Sequence, residues 1–192
     1  MIGEIKKMET VQIQIKGETA LLMNSPKAML DPQPVTRQKN IKRDNKKEAE
    51  KVAYRTSKGT LYVPATAIKG CMLNASSFKK AGKYALKPFI AGGVRIVGDE
   101  LELRDSKNKV IKNYEIDLRT VVIQRNRVVK ARPKIKDWVL NFEVKYNPKL
   151  IMEPEIIKQL LAEAGERIGI LDFAPRKTGD FGCFKVTKFK VL

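Results

Sequence analysis

The sequence predicts a single α+β domain in which an antiparallel sheet is formed by short strands that alternate with two helices. Three observations indicate this class. Several short segments alternate apolar and polar residues, two longer segments carry apolar residues at helical spacing, and 43% of the residues are hydrophobic, which is enough for a core. At 192 residues the chain has the length of one domain, and no internal repeat divides it. We therefore predict one domain over residues 1–192.

The first strand is predicted at Thr10–Lys16, where TVQIQIK alternates, with an extension toward Met23. A second short strand, TLYV at residues 60–63, leads into the first helix, for which Thr66 is the predicted N-cap. Gly82 is predicted to end this helix. Its predicted apolar face consists of Ile68, Met72, Ala75 and Phe78.

The second half of the chain repeats this pattern. Two or more strands follow Gly93, with a polar turn at Ser106–Lys109, and WVLNFEVKY at residues 138–146 alternates as a further strand. A helix is predicted to begin at Pro154, with acidic residues in its first turn. Its predicted apolar stripe is Ile156, Ile157, Leu160, Leu161 and Ala164. The last strand is predicted to turn Phe184, Val186 and Phe189 toward the core.

Without its insertions the predicted order is βαββαβ, which is the ferredoxin-like (RRM-like) arrangement with both helices on one face of the sheet. Two basic insertions interrupt it. Residues 25–58 contain three prolines and almost nothing to bury between Arg37 and Lys51, so we predict a long basic loop with local helix around Asp44–Tyr54. Residues 94–136 are predicted to form a basic β-hairpin insertion, in which Arg119–Lys136 holds seven cations and no anion.

The positive charge is confined to three segments. Lys and Arg total 39 against 21 Asp and Glu, which gives a formal net charge of +18. Residues 25–58 contribute +6, residues 104–136 contribute +8 and residues 167–190 contribute +4, so the remainder is neutral. Such local excess favours a polyanion partner, and nucleic acid is favoured over a membrane because no basic amphipathic helix is visible. The alternative is a merely solvated basic surface.

The residues that are missing exclude several kinds of chemistry. There is no His, which excludes catalytic triads, His bases and the usual His-containing zinc sites. Cys71 and Cys183 have no metal-binding or disulfide-framework spacing, and no signal or membrane-spanning segment is visible, so we predict a reduced cytoplasmic setting and no membrane partner. The sequence favours binding over catalysis and predicts no cofactor, with Mg²⁺ needed only if the protein is a nuclease.

Two motifs could bind phosphate. VPATAIKG at residues 63–70 places a helix start after the long loop, where free N–H groups and Lys69 could meet an anion; an ordinary strand-to-helix connection is the alternative. In RIGILDFAPRKTGDFGCF, Arg176, Lys177 and Phe181 lie among glycines and could grip a phosphate and stack on a base; a structural glycine turn is the alternative. Neither motif has Walker A or dinucleotide-binding spacing.

Together these motifs resemble the RAMP superfamily, the proteins that form the backbone of CRISPR effector complexes. VPATAIKG is similar to that family's first helix start, and Gly179–Gly182 is similar to its glycine-rich loop. The resemblance implies that the basic hairpin is a thumb-like insertion that lies across guide RNA. It also implies a filament of stacked copies and other effector subunits as partners. Asp31 is placed like the Asp with which some backbone subunits cut RNA.

The leading hypothesis is a protein that binds single-stranded RNA through its backbone and oligomerises along it. RNA is favoured over DNA by the resemblance alone. The alternatives are a metal-dependent endoribonuclease that uses Asp31, and a viral, structural or single-stranded DNA-binding protein. Tyr54 and Tyr114 are further candidates for stacking on bases. The predicted nucleic-acid-binding residues are Arg37, Lys39, Lys42, Arg43, Arg55, Lys69, Arg125, Arg127, Lys130, Arg132, Arg176, Lys177 and Phe181.

Overall fold

A computed structural model describes residues 8–29, 44–123 and 125–192. The strands of these residues are β1 (Glu9–Gly17), β2 (Leu21–Leu22), β3 (Tyr62–Pro64), β4 (Lys80–Ala81), β5 (Tyr84–Ala85), β6 (Val94–Ile96), β7 (Glu100–Glu102), β8 (Glu115–Ile123), β9 (Asn126–Ile135), β10 (Val139–Tyr146) and β11 (Phe184–Val191). The α-helices are α1 (Asn45–Lys51), α2 (Ala65–Ala75), α3 (Leu86–Gly93) and α4 (Glu155–Glu163). None of the described helices is both long and apolar enough to cross a membrane.

The main sheet has four strands in the order β11-β1-β10-β6, and every neighbouring pair is antiparallel. β1 lies at its centre, with Ile13 opposite Phe142 on one side and Phe189 on the other. The pairing of β1 with β11 shifts register between Gln14 and Ile15. The predicted α+β class with an antiparallel sheet is confirmed.

One face of this sheet forms the core. Val11, Ile13 and Ile15 of β1 are buried because alternate residues of a strand point to the same face. α2 and α4 contribute to the same core, as the predicted helical patterns require. The core residues of these helices are Ile68, Cys71, Met72, Ala75, Ile157, Leu160 and Leu161. Phe184 is buried, and Val186 and Phe189 pack against the core, so the predicted inward face of the last strand is confirmed.

A second sheet carries the basic hairpin. It has the order β2-β9-β8, and the hairpin itself spans β8 and β9, since Val94–Ile96 pairs with β10 in the main sheet. α1 packs against the hairpin, and local helix was predicted at this place. Among the described residues between Arg37 and Lys51, Ala49 alone is fully buried, and Val52 and Ala53 are buried directly after the helix.

Three details of the first helix differ from the prediction. Its N-cap is Pro64 rather than Thr66, and the helix already ends at Ala75. Residues 76–78 form a tighter 3₁₀ turn, which breaks the 3.6-residue period and leaves Phe78 98% exposed. Gly82 lies in the turn between β4 and β5, where its φ of 61° suits glycine.

Asp44 stabilises the start of α1, because its Oδ1 accepts hydrogen bonds from the backbone N–H groups of Lys46 and Lys47 at 3.0 and 3.1 Å. Asp44→Ala is expected to lower the free energy of unfolding by about 1 kcal/mol. Asp44→Asn retains a capping oxygen and is the control, with an expected loss below about 0.5 kcal/mol. Urea denaturation of the three proteins measures the difference. Equal losses in both variants would contradict the capping role.

Candidate nucleic-acid interface

The glycine-rich loop and the start of α2 line an open cavity of about 260 Å³. Its walls come from four segments that are distant in sequence. The lining residues are Asn24, Tyr54, Pro64, Thr66, Ala67, Leu171, Asp172, Arg176 and Lys177.

Backbone hydrogen bonds hold the glycine-rich loop in place beside β2. The N–H of Asp172 donates to the carbonyl of Leu22 at 3.1 Å, and the N–H of Gly182 donates to the carbonyl of Ala20 at 2.9 Å. A Cβ at Gly179 would lie 1.9 Å from the carbonyl oxygen of Phe173, so no side chain fits there. This glycine therefore serves the folding of the loop, as the structural alternative in the sequence analysis proposed.

The N-terminus of α2 presents unpaired donors to the cavity. The N–H of Ala65 donates to the carbonyl of Asp99 at 2.9 Å, and Pro64 has no side chain that can cap the helix. The N–H groups of Thr66 and Ala67 therefore have no partner among the described residues. Since the helix dipole is positive at this end, these N–H groups favour a bound anion.

Two cations of the loop complete the anion site. Arg176 and Lys177 lie in a short 3₁₀ turn, Pro175–Lys177, and both side chains line the cavity. The Arg176 guanidinium makes no hydrogen bond or ion pair with a described residue. Lys177 Nζ lies 3.4 Å from Oδ1 of Asp172. The cavity thus presents the Arg176 guanidinium and two backbone N–H groups without a described partner, beside a Lys177 ammonium that is paired with Asp172.

Asp172 connects the cavity to the base of the basic hairpin. Arg132, whose side chain is 2% exposed, donates through Nη1 to Oδ2 of Asp172 at 2.7 Å. Burial alone would raise the pKa of Asp172, but Arg132 and Lys177 outweigh burial and hold that pKa below its usual range. Because its pKa is lowered, Asp172 is an ionised carboxylate at neutral pH. The Nε and Nη2 atoms of Arg132 are buried without a partner in the described part of the chain.

Aromatic rings and cationic side chains contact one another where the hairpin meets the glycine-rich loop. The rings of Phe173 and Phe181 meet edge to face with centroids 6.2 Å apart. The Arg119 guanidinium lies 4.7 Å from the Phe181 ring centroid, and Lys134 Nζ lies 6.0 Å from it. Such cation–π contacts hold Phe181 against β8 and β9. Stacking of Phe181 on a base stays a prediction, and Arg119, Phe173 and Asp172 were not among the residues predicted from the sequence.

Lys69 was expected in the first turn of this helix, but it is the fifth residue of α2 and does not line the cavity. Its Nζ donates to the carbonyl groups of Ile90, Ala91 and Val94, so it closes the C-terminal end of α3. Burial lowers its pKa, and nearby Arg95 adds to this effect. The groups that line the cavity at the helix start are instead Thr66, Ala67, Arg176 and Lys177.

Arg55 is also engaged within the protein. It donates to both carboxylate oxygens of Glu50, at 2.5 and 3.0 Å, and to the carbonyl of Gly59 at 2.7 Å. Its guanidinium lies 5.8 Å from the ring centroid of Tyr114, whose hydroxyl donates to Glu50. Burial, together with Glu50, raises the pKa of Tyr114 to about 12.

The cations of the hairpin differ in exposure along its length. Arg125 at the tip, with φ 66°, and Arg127 are exposed, whereas Lys130 is half-buried and Arg132 is buried. Burial lowers the pKa of Lys130, and Arg132 adds to this effect. Arg125 and Arg127 are therefore the most accessible of these four cations.

Five of the predicted residues, Asp31, Arg37, Lys39, Lys42 and Arg43, lie outside the described residues. Within residues 8–29, 44–123 and 125–192, no three Cys, Asp or Glu side chains cluster as metal ligands. Metal-dependent cleavage through Asp31 stays a prediction from the sequence.

The fold matches solved structures, although no family model and no curated protein matches the sequence. A chain in the cryo-EM structure of the type III-B Cmr-beta complex bound to cognate target RNA superposes on 97% of this chain, with a TM-score of 0.59 and 14% identity. The chain therefore shares its fold with that Cmr-beta chain. It spans 61% of the length of that Cmr-beta chain. A crystal structure of Cmr6 from Pyrococcus furiosus also matches, with a TM-score of 0.48 and 9% identity. The match covers 95% of this chain and 99% of the Cmr6 chain.

Proposed function

We propose that this chain is a non-enzymatic RAMP-superfamily protein that binds single-stranded RNA through the sugar-phosphate backbone. The observation that carries the proposal is the cavity, in which Arg176, Lys177 and the unpaired N–H groups of Thr66 and Ala67 converge. Each of these groups donates hydrogen bonds, and the two cations add the charge that a phosphodiester requires. The RNA named with the Cmr-beta structure supports this choice of ligand.

The ferredoxin-like arrangement is part of the proposal. Counting only β1, β6, β10 and β11 with helices α2 and α4 gives the order βαββαβ. If these four strands are numbered 1 to 4 in chain order, their order across the sheet is 4-1-3-2. In this arrangement the end of the first strand and the loop before the last strand lie side by side, which places the glycine-rich loop next to the start of α2.

The exposed cations of the hairpin extend the binding surface. Arg125 and Arg127 project from a two-stranded extension whose base is fixed to the cavity by Arg132 and Asp172. A strand of RNA whose phosphate occupies the cavity would continue toward these arginines. With few aromatic side chains at the surface, affinity comes mainly from phosphates and sequence discrimination is low.

Assembly of copies along the RNA is the second part of the proposal. The hairpin exposes apolar side chains on one face, where Leu118 is 51% and Val122 is 69% exposed. Ile116 and Val129, on the same face, are each 39% exposed. This face also carries Thr120 and Arg127, and a group of exposed apolar side chains among polar ones on a projecting hairpin is typical of a surface that a protein partner covers. We propose that this partner is the next copy of this chain on the RNA. Other effector subunits would lie at the two ends of the row of copies.

Binding to short single-stranded RNA, single-stranded DNA and duplex of matched length tests the proposal by fluorescence anisotropy at several salt concentrations. If Arg125, Arg127, Arg176 and Lys177 each contact one phosphate, the plot of log affinity against log salt has a slope of about −3 for a single strand. Affinity then falls by roughly 50-fold between ~50 and ~200 mM salt. Absence of binding to all three nucleic acids would refute the proposal.

A further inference from the structure

One side chain of the cavity has the wrong charge for a phosphate. Asp172 lines the cavity with 13% of its side chain exposed, and its ionised carboxylate repels a phosphodiester. Its oxygens accept one hydrogen bond from Arg132 at 2.7 Å and one from Lys177 at 3.4 Å. A carboxylate has about four acceptor positions, so roughly two remain. The cavity therefore contains an acceptor that a phosphate cannot use.

Two neutral polar groups accompany this acceptor. Asn24 follows β2 by two residues, and β2 is hydrogen-bonded to the backbone of Asp172, so both lie in the same part of the cavity wall. The side-chain amide of Asn24 and the hydroxyl of Tyr54 have no hydrogen-bond partner among the residues that the structure describes. Burial and the charge of Asp172 raise the pKa of Tyr54, so its hydroxyl stays protonated. These groups can donate to or accept from a sugar hydroxyl.

We propose that Asp172, assisted by Asn24, accepts a hydrogen bond from the 2′-hydroxyl of a ribose and thereby makes the cavity select RNA over DNA. The inference rests on the proposed function, since it concerns the sugar beside the bound phosphate. In RNA the 2′-hydroxyl is a donor on the same nucleotide as the 3′ phosphate, and it satisfies the carboxylate. In DNA the carboxylate keeps its bonds to Arg132 and Lys177, but its remaining acceptor positions face the nucleotide without a donor.

The test compares oligouridine on the order of ten nucleotides long in four forms: ribo, 2′-fluoro, 2′-O-methyl and deoxy. The 2′-fluoro form keeps an RNA-like sugar but has no donor, so it separates the hydroxyl from sugar conformation. Anisotropy titrations at one salt concentration are expected to show that the wild-type protein binds ribo-oligouridine roughly tenfold more tightly than each of the other three. Equal affinity for the ribo and 2′-fluoro forms would overturn the inference.

Two variants test whether Asn24 and Asp172 cause the preference for ribo-oligouridine. Asn24→Ala removes an unpaired amide and Asp172→Asn keeps the shape while removing the charge; each is expected to reduce the preference for ribo over 2′-fluoro to about threefold or less. Asn74→Ala is the matched control, because the Asn74 amide lies on α2 and donates only to the carbonyl of Gly70. An unchanged preference in both Asn24→Ala and Asp172→Asn would refute the assignment. If no form binds, the proposed function fails; if all bind equally, only this inference fails.

Discussion

Replacing Arg176 and Lys177 together with alanine is expected to weaken binding of single-stranded RNA by roughly 100-fold or more at low salt. Each cation is expected to donate a charge-assisted hydrogen bond to a phosphate, and such bonds contribute about 1.5–3 kcal/mol each. Both side chains are exposed at the cavity, so their removal leaves the core intact. Fluorescence anisotropy gives the affinity, and the slope of the salt dependence should become shallower by about 1.4.

Lys80 and Lys83 provide a matched control. They lie in and beside the β4–β5 hairpin, which follows the C-terminal end of α2, and they are exposed. Lys80→Ala combined with Lys83→Ala removes the same charge as the cavity variant. Less than about a threefold loss is expected, because only a distant, screened charge changes. Similar losses in the two double variants would show that RNA responds to net charge alone and would contradict a phosphate site at the cavity.

Asp172→Ala is expected to have the largest effect on stability. It leaves the guanidinium of Arg132, 2% exposed, without its carboxylate partner. Breaking a buried pair by removing one partner costs about 3–5 kcal/mol. At ~2–4 °C for each kcal/mol, the melting temperature should fall by about 6–20 °C. Thermal unfolding followed by circular dichroism measures the change.

The double variant Asp172→Ala with Arg132→Met separates the charge from the loss of packing. It removes both charges and places an apolar chain in the buried position, so most of the stability is expected to return. A double variant as unstable as Asp172→Ala would show that the cost lies in packing.

The pH dependence of stability gives a second check. Because the pKa of Asp172 is lowered in the folded protein, its contribution to stability is present above the unfolded pKa of about 3.9 and is lost as the pH falls through the folded pKa. This acid-sensitive part should be missing in both variants.

Strands β1 and β10 and helix α4 could be predicted because each is encoded locally. The alternation in β1 and β10 and the apolar spacing in α4 follow from which face is buried, and the local helix at Asn45–Lys51 begins at its capping residue Asp44. The role of Lys69 could not be predicted in this way. Its partners are carbonyl groups 21 to 25 residues further along the chain, and only tertiary packing brings the end of α3 to it.

The candidate site was only partly predictable for the same reason. Arg176 and Lys177 stand out as cations among glycines, but Asp172 is one acid in a basic segment and gives no signal of its own. Its importance follows from Arg132, which lies 40 residues away in sequence and reaches it through the base of the hairpin. Phe78 was misplaced because a single 3₁₀ turn rotates it out of the helical period, and no residue pattern announced that turn.

The two-residue strand β2 has a mechanical consequence. On one side Leu21 and Leu22 pair with Ile135 and Lys134 at the base of the hairpin; on the other, the carbonyl of Leu22 holds the backbone of Asp172. The hairpin and the glycine-rich loop are thus both hydrogen-bonded to β2, and the Arg132–Asp172 ion pair connects them a second time. If the cavity binds a ligand as proposed, that ligand would contact the same segments that fix the base of the hairpin.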